Sequence, residues 1–231
     1  MKKRFIGCIA ASIFMLFLSF GSAFAAPNTG FYVGISGGYV IPQAMEISDH
    51  DYSAYRSDAY LDNGYNLAIK TGWLTPFTRN IMAMEIEYNY INNNFDNEKI
   101  VPSPYDGYPT RLDGNMSIHA VLFNIKGRYP QGPIHPYAGF GVGYAYASVG
   151  DITDSAYDGS ETYILQGESG GGFCWQFLAG VDFDITPNMS FGIGYKYFVA
   201  FPTIGDEHEY GIYADLDYRA SIITAGLTFT F

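Results

Sequence analysis

The last eleven residues of the chain, from Ser221 to Phe231, alternate strictly between mainly apolar and polar or small side chains. Successive side chains of a β-strand point to opposite faces, so this period of two predicts a strand. One face is largely apolar, and the other carries threonines and a glycine. A strand with lipid on one side and a packed lumen on the other has this composition. The alternation therefore predicts a strand that lies in a membrane.

Seven more stretches alternate in the same way, which gives eight strands in all. They span residues 30–41, 64–74, 81–90, 116–129, 137–149, 171–185, 189–200 and 221–231. The connections between them are alternately long and short, and the long ones are polar and rich in turn residues. Outer-membrane barrels have long loops on one side and short turns on the other. We therefore predict an all-β fold, one eight-stranded antiparallel up-and-down transmembrane β-barrel.

The first 25 residues have the features of a cleaved export signal. Lys2, Lys3 and Arg4 precede an apolar run over residues 5–20, and a small-residue cleavage site ends at Ala25. A membrane-anchoring helix is the alternative, but the run is short for a span and is followed by small residues. We predict cleavage after Ala25, which leaves residues 26–231 as one outer-membrane barrel domain.

Charge and cysteine content narrow the classes of partner. Three of the 12 basic residues and none of the 23 acidic ones lie in the signal, so the remainder has a net charge near −14. Binding to nucleic acid needs a basic face, so we expect no nucleic-acid partner. Cys174 is the one cysteine outside the signal, which excludes an intrachain disulfide. No complete metal-binding motif is present, and we expect no cofactor and no metal.

Three segments resemble a known family. They are GFYVG at residues 30–34, PYAGFGVG at 136–143 and GLTFTF at 226–231. The chain resembles the small outer-membrane β-barrels that include the transmembrane domain of OmpA, OmpX and the opacity-type surface proteins. The resemblance covers the whole chain after the signal. It implies the outer membrane of a Gram-negative cell, contact with outer-membrane lipid and lipopolysaccharide, and no particular activity, because family members differ mainly in their loops.

The C-terminal residues resemble the β-signal that this family shows to its assembly machinery. The pattern is a polar residue, a glycine two positions later and two large apolar residues at the end of the chain. The residues that match it are Thr224, Gly226, Phe229 and Phe231. The resemblance therefore implies the outer-membrane assembly machinery as a partner of the last strand.

Charged side chains on the inward faces form the first candidate site. They are Lys70, Glu85, Glu87, Lys126, Arg128, Asp182 and Lys196. Counting through the turn at residues 75–80 places Lys70 about opposite Glu85. Counting through the next loop brings Glu85 and Glu87 near Lys126 and Asn124.

A second group is expected from Asp182, Asp184 and Lys196. The inward charges can serve either as a polar path for solute or as a salt-bridged plug. An eight-stranded barrel is only wide enough for its own side chains or one small ligand, and buried charges must be paired. The plug is therefore the favoured interpretation.

The long loops form the second candidate site. Their acidic residues are Asp49, Asp51, Asp58, Asp96, Glu98, Asp106, Asp113, Asp151, Asp154, Asp158, Glu161, Glu168, Asp206, Glu207, Glu209, Asp215 and Asp217. Tyrosines such as Tyr52 and Tyr105 lie among small polar residues, a composition that suits binding of external proteins. A solvated acidic surface is the simpler interpretation, and divalent cations bridged to lipopolysaccharide would also suit the carboxylates.

An enzyme is the rival class, because some outer-membrane barrels modify lipid A or cleave proteins with a histidine at the outer rim. The histidines are His50, His119, His135 and His208. Ser117 comes two residues before His119, whereas the lipid A deacylase pattern has the serine after the histidine. We therefore expect no enzyme and no catalytic residue. The sequence predicts an integral barrel with a structural and surface-interaction, adhesin-like role, with a narrow channel for small or apolar solutes as the alternative and a lipid A-modifying enzyme as a more distant one.

Overall fold

The computed structural model describes residues 30–49, 56–95, 100–102, 109–150, 152–155, 161–165, 168–205 and 214–231. The predicted signal and cleavage site lie outside them. Eight long antiparallel strands form one closed sheet, which confirms the predicted eight-stranded up-and-down barrel. The strands are β1 (Phe31–Pro42), β2 (Gly64–Leu74), β3 (Met82–Asn94), β4 (Asn115–Arg128), β5 (Ile134–Val149), β6 (Ser169–Thr186), β7 (Met189–Ile204) and β8 (Ala214–Thr230). In the described part of the chain, no helix is long and apolar enough to cross a membrane.

Each strand pairs with its neighbours in sequence, and β8 pairs with β1 to close the barrel. The short connections lie together at one end, here called the turn end, and the long ones at the other, here called the loop end. Several strands extend further towards the loop end than the alternation predicts, most of all β8, which begins seven residues before Ser221.

The long connections also contain short strands that the sequence analysis did not predict. These are Met45–Asp49, Arg56–Ala59, Ile100–Pro102, Pro109–Asp113, Ile152–Ser155 and Glu161–Leu165. The first two extend the barrel sheet beside β8, and the other four form a separate sheet. Turn residues mark the tips of these hairpins, but the strands between them are too short for a clear alternation.

Large apolar side chains cover the outside of the barrel. Ile35, Leu67 and Phe177 are each at least half exposed, although they are among the most apolar residues of their strands. Aromatic rings gather near the turn end, where Phe31 stacks on Trp73 with 6.0 Å between ring centroids. We call this outward-facing apolar surface the apolar band. It suits a hydrocarbon layer bounded by aromatic residues.

The inside of the barrel has two layers. Towards the turn end it is polar and charged. Towards the loop end it is a packed apolar core, called the apolar layer below. Its fully buried members include Val40, Ile91, Met116, Ile118, Leu122, Phe198 and Ile222. Cys174 is also fully buried in this layer. The lumen is therefore filled by side chains along its length, as an eight-stranded barrel allows.

The seam between β1 and β8 depends on a glycine. Gly226 faces inward opposite Ser36, and a Cβ atom on it would lie 2.4 Å from the Ile35 carbonyl oxygen and 2.7 Å from the Ser36 Cβ. Backbone cannot yield as a flexible side chain can, so a larger residue here would push the two strands apart. Gly37 faces outward beside the same seam, and its Cβ would meet nothing closer than 4.0 Å.

We predict that Gly226→Ala destabilises the folded barrel by about 1–3 kcal/mol, because the added methyl group overpacks the seam. Urea unfolding in lipid vesicles, followed by the gel-mobility shift of the folded barrel, measures this. Gly37→Ala is the matched control and should change stability by less than about 0.5 kcal/mol. Equal losses for the two variants would show that the close approach at Gly226 does not set the stability of the seam.

Candidate functional site

Glu85 on β3 is the centre of the polar half of the lumen, and its side chain is 2 % exposed. Lys126 donates to its Oε2 at 2.6 Å, and the Tyr32 hydroxyl donates to the same oxygen at 3.0 Å. Asn124 donates to Oε1 at 2.9 Å. Lys70 lies 3.9 Å from Oε2. Both carboxylate oxygens are therefore satisfied, and the charge is compensated on two sides.

Glu87 lies two residues further along the same face of β3. Lys196 reaches across the lumen from β7 and contacts its Oε1, to which Asn89 also donates at 2.7 Å. Asn124 donates to Oε2 at 2.9 Å, and its own Oδ1 accepts from Gln176 at 2.9 Å. Asn124 therefore joins the two carboxylates into one assembly. We call the side chains of this paragraph and the previous one the polar network.

Predicted and observed positions of the lumen charges differ in part. In the strand register Lys70 pairs with Glu87 and Glu85 with Asn124, while the Lys70 ammonium points towards Glu85. Lys196 lies with Glu87 in the polar network, so the expected group of Asp182, Asp184 and Lys196 does not form as a unit.

The remaining charges lie at the turn end. Asp182 and Arg128 line a cavity there, and the Arg128 Nε is buried without a hydrogen-bond partner among the described residues. Asp184 lies 2.9 Å from Nε2 of His135, whose Nδ1 lies 2.8 Å from the Tyr129 carbonyl oxygen. His135 thus links the β4–β5 turn to β6. The sequence did not predict this contact, because the predicted strand begins at residue 137, whereas β5 begins at Ile134 and includes His135.

Two small cavities flank the polar network. One of about 30 Å³ lies among Lys70, Glu87 and Lys196, and one of about 40 Å³ lies nearer the turn end beside Arg128. A cavity of this kind needs about 10–15 Å³ to hold one water, so these spaces suit a few waters. The apolar layer lies above them. The arrangement can hold water and paired charges, but in the described residues it has no room for a larger solute.

A tyrosine closes the loop end of the lumen. The Tyr218 hydroxyl donates to Asn93 Oδ1 at 2.8 Å, and Asn93 donates to the Asp62 carbonyl oxygen at 2.8 Å. Tyr218 lies above the apolar band, between the outward-facing Asp217 and Arg219. Burial raises the pKa of Tyr218 well above its ordinary value, so the hydroxyl stays protonated and remains a donor.

The proposed assembly signal lies along β8. Thr224 faces the lumen and is buried, Gly226 lies at the seam, and the rings of Phe229 and Phe231 are 5.0 Å apart at the turn end. The Phe231 backbone amide donates to the Phe31 carbonyl oxygen at 2.8 Å. These residues are therefore built into the closing seam, while their recognition by the assembly machinery stays a prediction.

The histidines of the enzyme hypothesis are only partly described. His50 and His208 lie outside the described residues, as do Asp51, Asp96 and Asp206 of the acidic loops. His119 faces outward on β4, where its Nδ1 is 2.7 Å from the Tyr88 hydroxyl. Within the described residues no three His, Cys, Asp or Glu side chains are grouped as metal ligands would be.

Comparison with known proteins agrees with this geometry. The sequence matches the family "Outer membrane protein beta-barrel domain" over residues 10–231. The structure is similar to Neisserial surface protein A (NspA), with a TM-score of 0.50 and 19% identity over 87% of this chain and 97% of that one. It is also similar to the outer membrane protein OprG from Pseudomonas aeruginosa, with a TM-score of 0.52 and 14% identity over 88% of this chain and 96% of that one. No curated protein matches the sequence. At these identities the structural likeness shows the fold alone.

We predict that Lys196→Met destabilises the barrel by about 3–5 kcal/mol, because it leaves the buried Glu87 carboxylate without its cation. The double variant Lys196→Met with Glu87→Gln removes both charges and should recover at least half of that loss. Urea unfolding of the single and double variants measures both values. A single variant as stable as the unmodified protein would mean that the pair adds nothing to the fold.

Proposed function

The chain belongs to the outer membrane protein β-barrel family and lies in the outer membrane of a Gram-negative cell, and we propose that it is a closed, non-conducting barrel that carries surface-interaction loops. The observation behind this proposal is the filled lumen. The polar network fills the half of the lumen towards the turn end, and the apolar layer fills the half towards the loop end.

Both layers oppose the passage of ions. Within the polar network, Glu85 and Glu87 are paired with lysines, so a passing ion would have to displace a buried partner. In the apolar layer, Ile118 and Phe198 are at most 1% exposed, and an ion would lose its hydration without compensation. Apolar constrictions of this kind block conduction by excluding water.

Unlike the filled lumen, the loop end presents an extended surface outside the membrane. The four short strands from Ile100–Pro102 to Glu161–Leu165 form a sheet of their own above the barrel. The long connections are also rich in carboxylates and tyrosines. A rigid barrel that supports structured loops is a common way to present a binding surface. We therefore propose an adhesin-like role through the loops, and no catalytic one.

We predict that the refolded protein shows no stable single-channel openings in planar bilayers, with folding confirmed by the gel-mobility shift. Glu87→Gln combined with Lys196→Met should remain silent, because the apolar layer is intact. Regular openings that change in size in this variant would support the narrow channel and overturn the closed barrel.

We predict that the loops, and not the barrel, carry binding at the cell surface. Cells that display the protein should bind or aggregate more than cells that lack it. A variant whose four long connections are replaced by short Asn-Gly turns should lose that gain, while Gly37→Ala, which alters only the outside of the barrel, should keep it. Equal binding by the loop-shortened variant, at equal surface level, would contradict the proposed role.

A further inference from the structure

The outer face of β3, β4 and β5 changes from apolar to polar and hydroxyl-bearing side chains at the edge of the apolar band nearest the loop end. Two adjacent rows of side chains cross these strands in register. The lower row consists of Tyr90, His119 and Tyr146, and the upper row consists of Asn92, Ser117 and Ser148. We call these six residues the hydroxyl patch. Just below it the outward side chains are Tyr88 and Val121, so the patch begins where the band ends.

Hydrogen bonds inside and around the hydroxyl patch hold its side chains in place. The Tyr146 hydroxyl lies 2.6 Å from the Ser169 Oγ. Asn92 and Asn115 exchange hydrogen bonds of 3.3 Å. The ring of His119 lies 5.0 Å from that of Tyr90. These contacts preorganise the side chains of the patch.

One nitrogen atom of the hydroxyl patch is left without a protein partner. The Tyr88 hydroxyl lies 2.7 Å from Nδ1 of His119 and shares a hydrogen bond with it, which occupies one of the two ring nitrogens. Within the described part of the chain Nε2 has no hydrogen-bond partner, and His119 is exposed. The hydroxyl patch thus presents a free ring nitrogen, a donor or an acceptor according to the tautomer, on the outer face of the barrel at the edge of the apolar band.

We propose that the hydroxyl patch binds the sugar headgroup of a glycolipid in the outer leaflet. Hydroxyl and amide groups match the donors and acceptors of a sugar ring, and the tyrosine rings offer amphipathic surface to its C–H faces. Lysine and arginine, which recognise phosphate, are absent from the six residues. The seam side of the barrel differs, because there the edge of the band carries the paired charges of Arg219 and Asp217.

The test uses the folded protein in phosphatidylcholine nanodiscs that contain a small fraction of one of three probe lipids with the same acyl chains. The probes are monoglucosyl diacylglycerol, phosphatidic acid and diacylglycerol, which carry a sugar, a phosphate and neither. Native mass spectrometry after release into detergent measures how much probe each protein retains. We expect the glucosyl lipid to be retained most.

Two variants locate the binding. His119→Phe keeps a ring but removes the free ring nitrogen, and should weaken retention of the glucosyl lipid about two- to tenfold, as expected for one hydrogen bond. Tyr146→Phe should weaken it as well. Tyr195→Phe is the matched control, because its hydroxyl also lies close to a serine, 2.9 Å from the Ser221 Oγ, but outside the hydroxyl patch. It should retain the lipid unchanged.

Three outcomes would overturn the proposal. Equal or better retention of phosphatidic acid would make this a phosphate site. Retention of the glucosyl lipid no better than that of diacylglycerol would mean that the hydroxyl patch only anchors the barrel at the interface. Equal losses for Tyr146→Phe and Tyr195→Phe would place any sugar binding elsewhere.

Discussion

The pairing of β1 with β8 is the interaction on which the rest of this structure depends. Lipid offers no hydrogen-bond partner to backbone, so a sheet that crosses a membrane must have no free edge. The seam runs from Tyr32 opposite Thr230 to Pro42 opposite Ala220. Closing it with eight strands sets the width of the lumen, and a lumen of that width must be filled by side chains. The polar network and the apolar layer are both consequences of closure.

Closure also explains why two glutamates can lie side by side on one strand. Glu85 and Glu87 face the same narrow space, and two neighbouring carboxylates would repel each other there. Lys126 approaches the first from β4, and Lys196 approaches the second from the far side of the lumen. Asn124 donates to both carboxylates. Each charge is tolerable only because a neighbouring strand or the strand across the lumen carries its counterpart.

The sequence predicted the architecture but not where the strands end, and one physical change explains the difference. Along β8 the apolar residues face outward from Ile223 to Phe229, whereas before Ser221 they face inward, as Tyr218 and Leu216 do. The strand keeps its alternation, but its outer side passes from lipid to water. A pattern search that expects apolar residues outside therefore stops at residue 221. The same inversion concealed the apolar layer.

Sequence reasoning located partners on neighbouring strands better than partners across the lumen. Counting along two paired strands was enough to bring Glu85 near Lys126, because register between neighbours carries over from residue to residue. The contact of Lys196 with Glu87 joins β7 to β3, and it depends on which strands face each other after closure. The hydroxyl patch also follows the register of neighbouring strands, across β3, β4 and β5. Its members are ordinary interface residues that form no recognisable motif along the chain, so their common surface became visible only with the three strands side by side in the structure.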